Sequence, residues 1–351
     1  MIERFTISRD DTIYEAFPDV ALTASGNLVC VFAECTHHAD RSYTRIMVTT
    51  SMDRGRTWSA KRPLTEATHG IGYYNCARIT ALRDGRLAVL VDKIYATGED
   101  RDPEAYRNLL FFSADEGGTW SEALETPARG IVPDRLLELT DGRWLLSCHG
   151  RQNGCTEPIS RNLVQRLWVS DDQGATWSGP IIVGQQEGLN LCEASILSMG
   201  GEVLVAFHRE NSGKGWDCYK TISHDNGASW SGPIAFPLPA CHRPVAGWLR
   251  NGQILITHRF MQGGKGWTGW WTQNLFAALT DRESALAPSR EEAHTRILPL
   301  DFDRSPQSDT GYSGWVQFED GEIYVVNYIL DDALKAQIRG YSLHTEDFIL
   351  S

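Results

Sequence analysis

Residues 51–59 read SMDRGRTWS, and the same nine-residue pattern returns at 113–121, 170–178 and 223–231. The shared pattern is Ser-x-Asp-x-Gly-x-Thr-Trp-Ser, with Ser in place of Thr in the last copy. Successive copies start 62, 57 and 53 residues apart. A period of this length is typical of an array of similar supersecondary units, so the sequence predicts a repeat architecture.

Each nonapeptide has the composition of a tight turn. Its Asp can accept hydrogen bonds from backbone N–H groups further along the turn. Its Gly can adopt a positive φ, and its Trp can pack between neighbouring strands. We therefore interpret the nonapeptides, including Asp53, Asp115, Asp172 and Asp225, as structural.

A second pattern lies between the nonapeptides, and it consists of an apolar run, a Gly-containing turn and another apolar run. Turns such as DG, NG and SGN between β-rich runs are hairpin signals. The six copies begin at residues 19, 78, 134, 193, 243 and 312. Six units of about four strands each predict an all-β, six-bladed β-propeller that residues 1–351 form as a single domain.

The sixth unit is one strand short. It has a hairpin and a third run, AQIRGYSLH at 336–344, but no fourth run follows. The N-terminal ERFTIS, residues 3–8, is predicted to supply that strand and close the ring. Helical periodicity is nearly absent, and DRESALAPSREEA, from residue 281, is the best helical candidate.

The composition narrows the classes of partner. A formal net charge of −12 argues against binding to nucleic acid or to an anionic membrane. The sequence shows no secretory signal, and no apolar run is long enough to span a membrane. The eight Cys form no spaced framework, which favours reduced thiols and a cytoplasmic location. No phosphate-binding Gly motif or spaced metal motif occurs, so we expect no cofactor and no metal, and the oligomeric state stays open.

The propeller geometry predicts which end of the ring carries the chemistry. The start of a hairpin's first strand and the end of its second share one face, and the nonapeptides lie on the opposite face. Ionisable residues concentrate on the first face, where we expect a binding funnel. The candidates at strand starts are Asp19, Arg78, Asp134, Arg135, Glu193, Arg243 and Tyr312. Those at strand ends are Glu34, Asp40, His149, Arg151, His208, Arg209, His258 and Arg259.

These repeats resemble the Asp boxes of the sialidase superfamily, whose members are six-bladed propellers, and the resemblance covers essentially the whole chain. LCEASILSMGGEVLVAFHRE at 191–210 resembles the segment with the catalytic Glu and a substrate-binding Arg, which implies those roles for Glu193 and Arg209. TGYSGWVQFEDG at 310–321 resembles the segment with the nucleophile, which implies Tyr312. VFAECTHHADR at 31–41 resembles the segment with the acid/base Asp, for which Asp40 is the best match, within a residue or so.

The implied chemistry is physically coherent. A Tyr is a poor nucleophile at its ordinary pKa near 10, but a neighbouring Glu can take its proton. A neutral nucleophile suits an anomeric carbon that also carries a carboxylate, and sialidases depart from the two-carboxylate scheme in this way. Asp40 would protonate the departing glycosidic oxygen.

The chain also departs from the superfamily pattern. Sialidases bind the sugar carboxylate with three Arg, of which only Arg209 has a clear counterpart here. Ala16 stands at the first Arg position, and the third is represented by Arg259 or Lys265. Because bidentate Arg contacts carry much of the affinity for a carboxylate, we expect little sialidase activity unless Arg78, Arg135 and Arg243 replace them.

Two other functions stay open. His149, His208 and His258 occur near the same point of three units, with an Arg just after each. Three such histidines could bind a metal ion, or they could serve a polysaccharide lyase or a uronate-glycoside lyase. Alternatively, the chain is a non-catalytic carbohydrate-binding propeller, with GWTGWW at 266–271 as an aromatic platform.

We therefore predict an exo-acting glycoside hydrolase of the sialidase superfamily. Its partner would be a carbohydrate substrate with a terminal sugar, and acidic sugars are among the candidates. Tyr312 and Glu193 form the nucleophile pair, and Asp40 is the acid/base. Arg209, Arg78 and Arg243 would bind the substrate. The remaining predicted contacts in the funnel are Arg135, Asp19, Asp134, His149, His208, His258 and Arg259.

Overall fold

The computed structural model describes residues 2–70, 72–95, 105–151, 163–212, 214, 216–262 and 272–349. Its strands form six antiparallel sheets that are arranged as a six-bladed β-propeller, which confirms the predicted fold. One short helix and one 3-10 turn accompany the strands in the described ranges.

The strands follow the chain from blade to blade. The N-terminal strand is β1 (Glu3–Ser8), and blade 1 contains β2 (Tyr14–Leu22), β3 (Leu28–Cys35), β4 (Tyr43–Ser51), β5 (Arg62–Pro63) and β6 (Thr68–His69). Blade 2 contains β7 (Tyr73–Ala81), β8 (Leu87–Ile94), β9 (Tyr106–Ser113) and β10 (Leu124–Glu125). Blade 3 contains β11 (Leu137–Glu138), β12 (Trp144–Arg151), β13 (Leu163–Ser170) and β14 (Ser178–Gly184).

The second half of the ring repeats the arrangement. Blade 4 contains β15 (Leu191–Gly200), β16 (Val203–Glu210), β17 (Asp217–Ser223) and β18 (Ser231–Pro239). Blade 5 contains β19 (Cys241–Trp248), β20 (Ile254–Gln262), β21 (Thr272–Thr280) and β22 (Arg296–Phe302), with the helix α1 (Arg282–Leu286) before β22. Blade 6 contains β23 (Thr310–Gln317), β24 (Ile323–Ile329) and β25 (Gln337–Leu343), and the 3-10 turn Thr345–Phe348 follows it.

Ring closure occurs as predicted. Strand β1 pairs antiparallel with β25, with Glu3 opposite Ser342 and Phe5 opposite Gly340. The blades then pack face to face, so a central strand such as β3 is buried at every residue rather than at alternate ones. The largest apolar cluster joins blades 1, 2 and 6.

The nonapeptides connect the third and fourth strands, opposite the funnel face. In the first copy, Asp53 accepts hydrogen bonds from the Thr57 backbone N–H at 2.8 Å and from the Ser51 hydroxyl at 2.8 Å. Gly55 has a φ of 83°, and a Cβ there would lie 2.2 Å from the Tyr324 ring of blade 6. The other three copies repeat the aspartate bonds with their own residues. This geometry supports the structural interpretation.

The predicted starts of the innermost strands were wrong by up to five residues. Strand β2 begins at Tyr14 rather than Asp19, and β7 begins at Tyr73 rather than Arg78. The polar residues lie inside the strands because each of these strands contains a β-bulge, which adds a residue and breaks the polar–apolar alternation.

Blade 3 has the shortest innermost strand. Val132 has a φ of 51° and Pro133 has no N–H to donate, so these two residues interrupt the strand. The segment before them pairs with β12 only through a bridge between Ile131 and His149.

The short helix α1 lies where it was predicted. Asp281 caps it by accepting a hydrogen bond from the Ser284 N–H. No helix in the part of the chain that the structure describes is long and apolar enough to cross a membrane.

Candidate active site

The bulges of the innermost strands carry side chains into the funnel. The residues at positive φ include Phe17 at 57°, Glu193 at 46° and Arg243 at 52°, and Gly311 at 97° precedes Tyr312. Non-glycine residues rarely adopt this conformation, and such residues cluster where a side chain must be aimed at a site. Four blades therefore deliver a residue to the funnel from equivalent points.

Tyr312 and Glu193 meet across the channel. The Tyr312 hydroxyl donates a hydrogen bond of 2.5 Å to Oε1 of Glu193. Arg209 donates to the same carboxylate oxygen at 2.8 Å and to the Tyr312 hydroxyl at 3.2 Å. Both Tyr312 and Glu193 are buried, whereas the second carboxylate oxygen of Glu193 is buried with no hydrogen-bond partner among the described residues.

Electrostatics fix the resting protonation of this pair. Burial would raise the pKa of Glu193, but the charges of Arg209 and His149 and the bond from Tyr312 lower it to about 2. Burial, together with the charge of Glu193, raises the pKa of Tyr312 well above its usual value. At neutral pH the pair is therefore a neutral phenol that donates to a carboxylate.

Two further guanidinium groups lie against the Tyr312 ring. The central carbon of Arg259 lies 4.4 Å from the ring centroid, and that of Arg243 lies 5.9 Å away. Arg243 donates to the Pro133 carbonyl at 2.7 Å, and Arg259 donates to the Tyr328 hydroxyl at 2.6 Å. Blades 4 and 5 thus place three arginines at the tyrosine of blade 6, and all three were among the predicted substrate contacts.

Blade 1 contributes an aromatic ring next to Ala16, the residue that was aligned with the first Arg position. Ala16 is fully buried, and the neighbouring Phe17 lies with its ring centroid 5.5 Å from that of Tyr312. Phe17 also contacts the His38 ring at 5.1 Å, and Arg41 stacks over it at 4.9 Å.

A second carboxylate, Asp309, lies beside these rings. It accepts hydrogen bonds from the hydroxyls of Tyr14 and Tyr328 and contacts Nδ1 of His38. Sequence reasoning missed Phe17, His38 and Asp309. The only signals were that His38 belongs to the segment that resembles the acid/base loop and that Asp309 directly precedes the segment that contains Tyr312.

The predicted acid, Asp40, lies elsewhere on the same loop. It is exposed and accepts a hydrogen bond from the Ser42 backbone N–H at 2.9 Å. No contact in the described part of the chain joins its carboxylate to Tyr312 or Glu193. Lys265 and GWTGWW fall outside the described residues.

The three histidines do not converge, so the prediction of a shared register was wrong. In blade 3, His149 lies opposite Ile131, the residue before Val132, which has a positive φ. In blades 4 and 5, the residues with a positive φ are Glu193 and Arg243, and the equivalent positions on the second strands are occupied by Arg209 and Arg259. His208 and His258 are one residue earlier in their strands, and consecutive residues of a strand point to opposite faces.

The environments of the histidines agree with this register. His149 accepts a bond from the Glu193 N–H at 3.4 Å, whereas His208 bonds Thr221 at 2.8 Å within blade 4 and His258 packs on Phe276. Burial lowers the pKa of His149 to about 4 and that of His208 to about 3. Among the residues that the structure describes, no group of three or more His, Cys, Asp or Glu could hold a metal ion.

Asp19, Arg78 and Arg135, which the sequence analysis assigned to the substrate, form a buried ion cluster instead. Arg135 binds Asp19 through two nitrogens, at 2.9 Å and 2.5 Å, and Arg78 pairs with Asp19 at 3.3 Å. Arg78 also donates to the Ser313 carbonyl at 3.0 Å. The cluster connects blades 1, 2, 3 and 6, and both arginines pair with Asp19 rather than with the Tyr312 hydroxyl.

Asp134 likewise connects blades. Its carboxylate accepts the Ile196 backbone N–H at 2.8 Å, so it links blade 3 to blade 4. Asp19 does the same for blade 2 by accepting the Ile79 N–H at 3.0 Å. These aspartates satisfy inward-facing donors between neighbouring blades, which is a structural role.

Comparison with known proteins agrees with this architecture. Residues 74–325 match the family described as BNR repeat-like domain. A sialidase from Clostridium perfringens is 22% identical over 214 residues, which is 54% of this chain and 52% of that protein. The chain thus spans about half the length of this curated relative.

Solved structures show the same fold at low identity. A protein of unknown function from Dyadobacter fermentans DSM 18053 has a TM-score of 0.78 at 20% identity, and the match covers 98% of this chain and 99% of that one. A Hadza microbial sialidase has a TM-score of 0.71 at 16% identity, over 96% of this chain and 66% of that one.

The ring of six blades with its repeated turns defines a sialidase-like propeller. More specifically, the chain belongs to the BNR repeat-like domain family, and it is similar in sequence and fold to sialidases. This fold is of the type found in glycoside hydrolases.

Proposed function

We propose that the protein is an exo-acting glycoside hydrolase that removes a terminal acidic sugar, with Tyr312 and Glu193 as its nucleophile pair. The observation that carries this proposal is the buried 2.5 Å bond from the Tyr312 hydroxyl to Glu193, with three arginines in contact with the tyrosine. A protein that only binds sugars has no need of a tyrosine bonded to a carboxylate that can take its proton.

The charge balance favours an anionic substrate. Around the Tyr312 ring, Arg209, Arg243 and Arg259 bring three positive charges. The carboxylates in contact with these groups are Glu193 and Asp309. One positive charge is thus in excess at this point of a chain whose net charge is −12, and a sugar carboxylate would neutralise it.

The proposed reaction proceeds in two steps. Tyr312 attacks the anomeric carbon while Glu193 takes its proton, and the glycosidic C–O bond breaks with protonation of the departing oxygen. Water then attacks the anomeric carbon of the tyrosyl glycoside, and Glu193 returns its proton to the Tyr312 oxygen. The Arg209 guanidinium, 3.2 Å from that oxygen, stabilises the negative charge that develops on it.

The decisive experiment compares wild type with Tyr312→Phe on aryl glycosides of N-acetylneuraminic acid, glucuronic acid, galacturonic acid and galactose. We expect hydrolysis of one of the acidic glycosides and a loss of at least about a thousandfold in the variant, on the scale seen for disabled catalytic groups. An analogue of the active sugar with fluorine on the carbon next to the anomeric carbon and a good leaving group on the anomeric carbon should lose that group and leave its glycosyl mass on the peptide that contains Tyr312.

Tyr324→Phe is the matched control, because Tyr324 is a buried tyrosine of the same blade whose hydroxyl donates to the Gly55 carbonyl at 2.7 Å, away from the site. Its activity per folded molecule should equal that of wild type. Full activity of Tyr312→Phe would remove Tyr312 from the chemistry. Binding of a sugar without hydrolysis of any glycoside would instead identify a carbohydrate-binding propeller.

A further inference from the structure

The proposed reaction needs a proton donor for the departing oxygen, and neither Glu193 nor Asp40 is placed to provide it. Glu193 is engaged with Tyr312 and Arg209. Asp40 is exposed and bonded to the Ser42 N–H. A donor must therefore come from another group near the Tyr312 ring.

His38 is held in a defined orientation beside the site. Its Nδ1 contacts Oδ2 of Asp309, which also accepts from the Tyr14 hydroxyl, and Oδ1 accepts from the Tyr328 hydroxyl at 2.6 Å. With both oxygens occupied, the Asp309 carboxylate cannot rotate freely, so it directs the His38 ring. The structure gives Nε2 of His38 no hydrogen bond to a described residue, and the side chain is 40% exposed.

The position of His38 matches the requirement for a proton donor. The Phe17 ring contacts both His38 and Tyr312, with centroid distances of 5.1 Å and 5.5 Å, so one aromatic ring connects the imidazole to the phenol. The chain reaches this arrangement only because Phe17 adopts a φ of 57° in the bulge of β2. His38 belongs to the loop between β3 and β4, as Asp40 does.

We propose that His38, oriented by Asp309, is the general acid/base of this site. This inference rests on the proposed function. In the first step the His38 imidazolium gives its Nε2 proton to the glycosidic oxygen as the C–O bond breaks. In the second step the neutral imidazole takes a proton from the attacking water, which restores the imidazolium. An imidazole with a carboxylate on its far nitrogen is a common general acid and base near neutral pH.

The charges around His38 support this assignment. Asp309 faces it from the segment before β23. Burial would raise the pKa of Asp309, but the bond from His38 and the charges of His38 and Arg259 lower it below its usual range, so it stays ionised. On its own loop, His38 faces Arg41, whose Nε–H donates to the His38 carbonyl at 3.0 Å. The remaining titratable groups packed nearby are Tyr14, His37 and Tyr328.

The test uses the dependence of rate on the leaving group. His38→Asn keeps a donor for Asp309 but removes Nε2. On an alkyl glycoside or an oligosaccharide, which needs protonation, we expect kcat/KM to fall by about a hundredfold to ten-thousandfold. On the 2,4-dinitrophenyl glycoside of the same sugar, which leaves without a proton, the first step should proceed within a few-fold of wild type. His38→Asp should recover part of the loss on the alkyl glycoside.

Matched controls come from the same loop. His37→Asn replaces the neighbouring exposed histidine, and Asp40→Asn replaces the rival acid, and both should retain wild-type rates on both substrates. Equal losses on the two substrates in His38→Asn would overturn the assignment, because a binding or folding defect does not depend on the leaving group. The leaving-group pattern in Asp40→Asn would transfer the role to Asp40. If wild type hydrolyses no glycoside, the proposed function fails and this inference fails with it.

Discussion

Asp19→Asn tests whether the buried ion cluster holds the blades together. The substitution keeps the shape of the side chain but removes the negative charge that faces Arg78 and Arg135. Burial would raise the pKa of Asp19, but the two arginines lower it, so the carboxylate is ionised at neutral pH. Removing one partner from a buried ion pair typically costs about 3–5 kcal/mol, because the remaining charge stays uncompensated.

The measurement is urea-induced unfolding at pH 7, followed by tryptophan fluorescence. We expect the midpoint to fall with little change in slope. Because the entropy of unfolding is about 2.1 cal/mol/K per residue, the same loss in a chain of 351 residues lowers Tm by about 4–7 °C. Turnover per folded molecule should stay near that of wild type, since the cluster binds the blades rather than the substrate.

Asp84→Asn provides the matched control for Asp19→Asn. Asp84 pairs with Arg86 in an exposed hairpin turn, where an ion pair contributes about 0–1 kcal/mol. The reasoning is refuted if Asp19→Asn unfolds like the control variant. A wild-type stability combined with a raised KM would return Asp19, Arg78 and Arg135 to the substrate-binding role that the sequence first suggested.

Three further substitutions test other parts of the molecule. Asp172→Ala should lower Tm without changing kcat, because Asp172 organises only its own turn; a folded variant without turnover would contradict this. Arg243→Lys should raise KM for an acidic substrate about tenfold with kcat nearly unchanged, whereas equal KM values would show that Arg243 does not contact the carboxylate. Burial lowers the pKa of His208 from 6.5 to about 3. Between these pH values the unfolded chain binds the extra proton, so the free energy of unfolding falls as the pH is lowered. His208→Gln should flatten that fall by up to about 1.4 kcal/mol per pH unit, and an unchanged slope in this variant would contradict the assignment.

The repeats made the ring predictable. Turn chemistry is local, so the nonapeptides and the Gly turns could be recognised without knowledge of distant contacts. The count of runs then left one strand missing in blade 6, and the pairing of β1 with β25 follows from that count. The proximity of Glu193 and Tyr312 was accessible too, through the resemblance of their two segments to sialidase segments.

The bulges were not predictable, and the errors at the site follow from them. A single extra residue in a strand reverses the face of every side chain beyond it. Phe17 therefore reaches Tyr312. The second strands of blades 3 and 4 contain no bulge, and there His149 aligns with Arg209 instead of His208 through the pairing of each strand with its innermost neighbour. The contact between His38 and Asp309 joins residues 271 positions apart, and no local pattern encodes such a pair.

The closure of blade 6 makes site assembly a late event in synthesis. Tyr312 stands on β23, and among the described strands its sheet takes its outer strand, β1, from the segment that precedes blade 1. A nascent chain can form its first blades before β1 has a partner, because β25 follows more than 300 residues later. Until then β1 is an unpaired strand that can add to another chain's sheet. A ribosome-bound chain that has not yet exposed residues 337–343 should therefore lack the pairing of β1 with β25 and be prone to pair with its neighbours through β1.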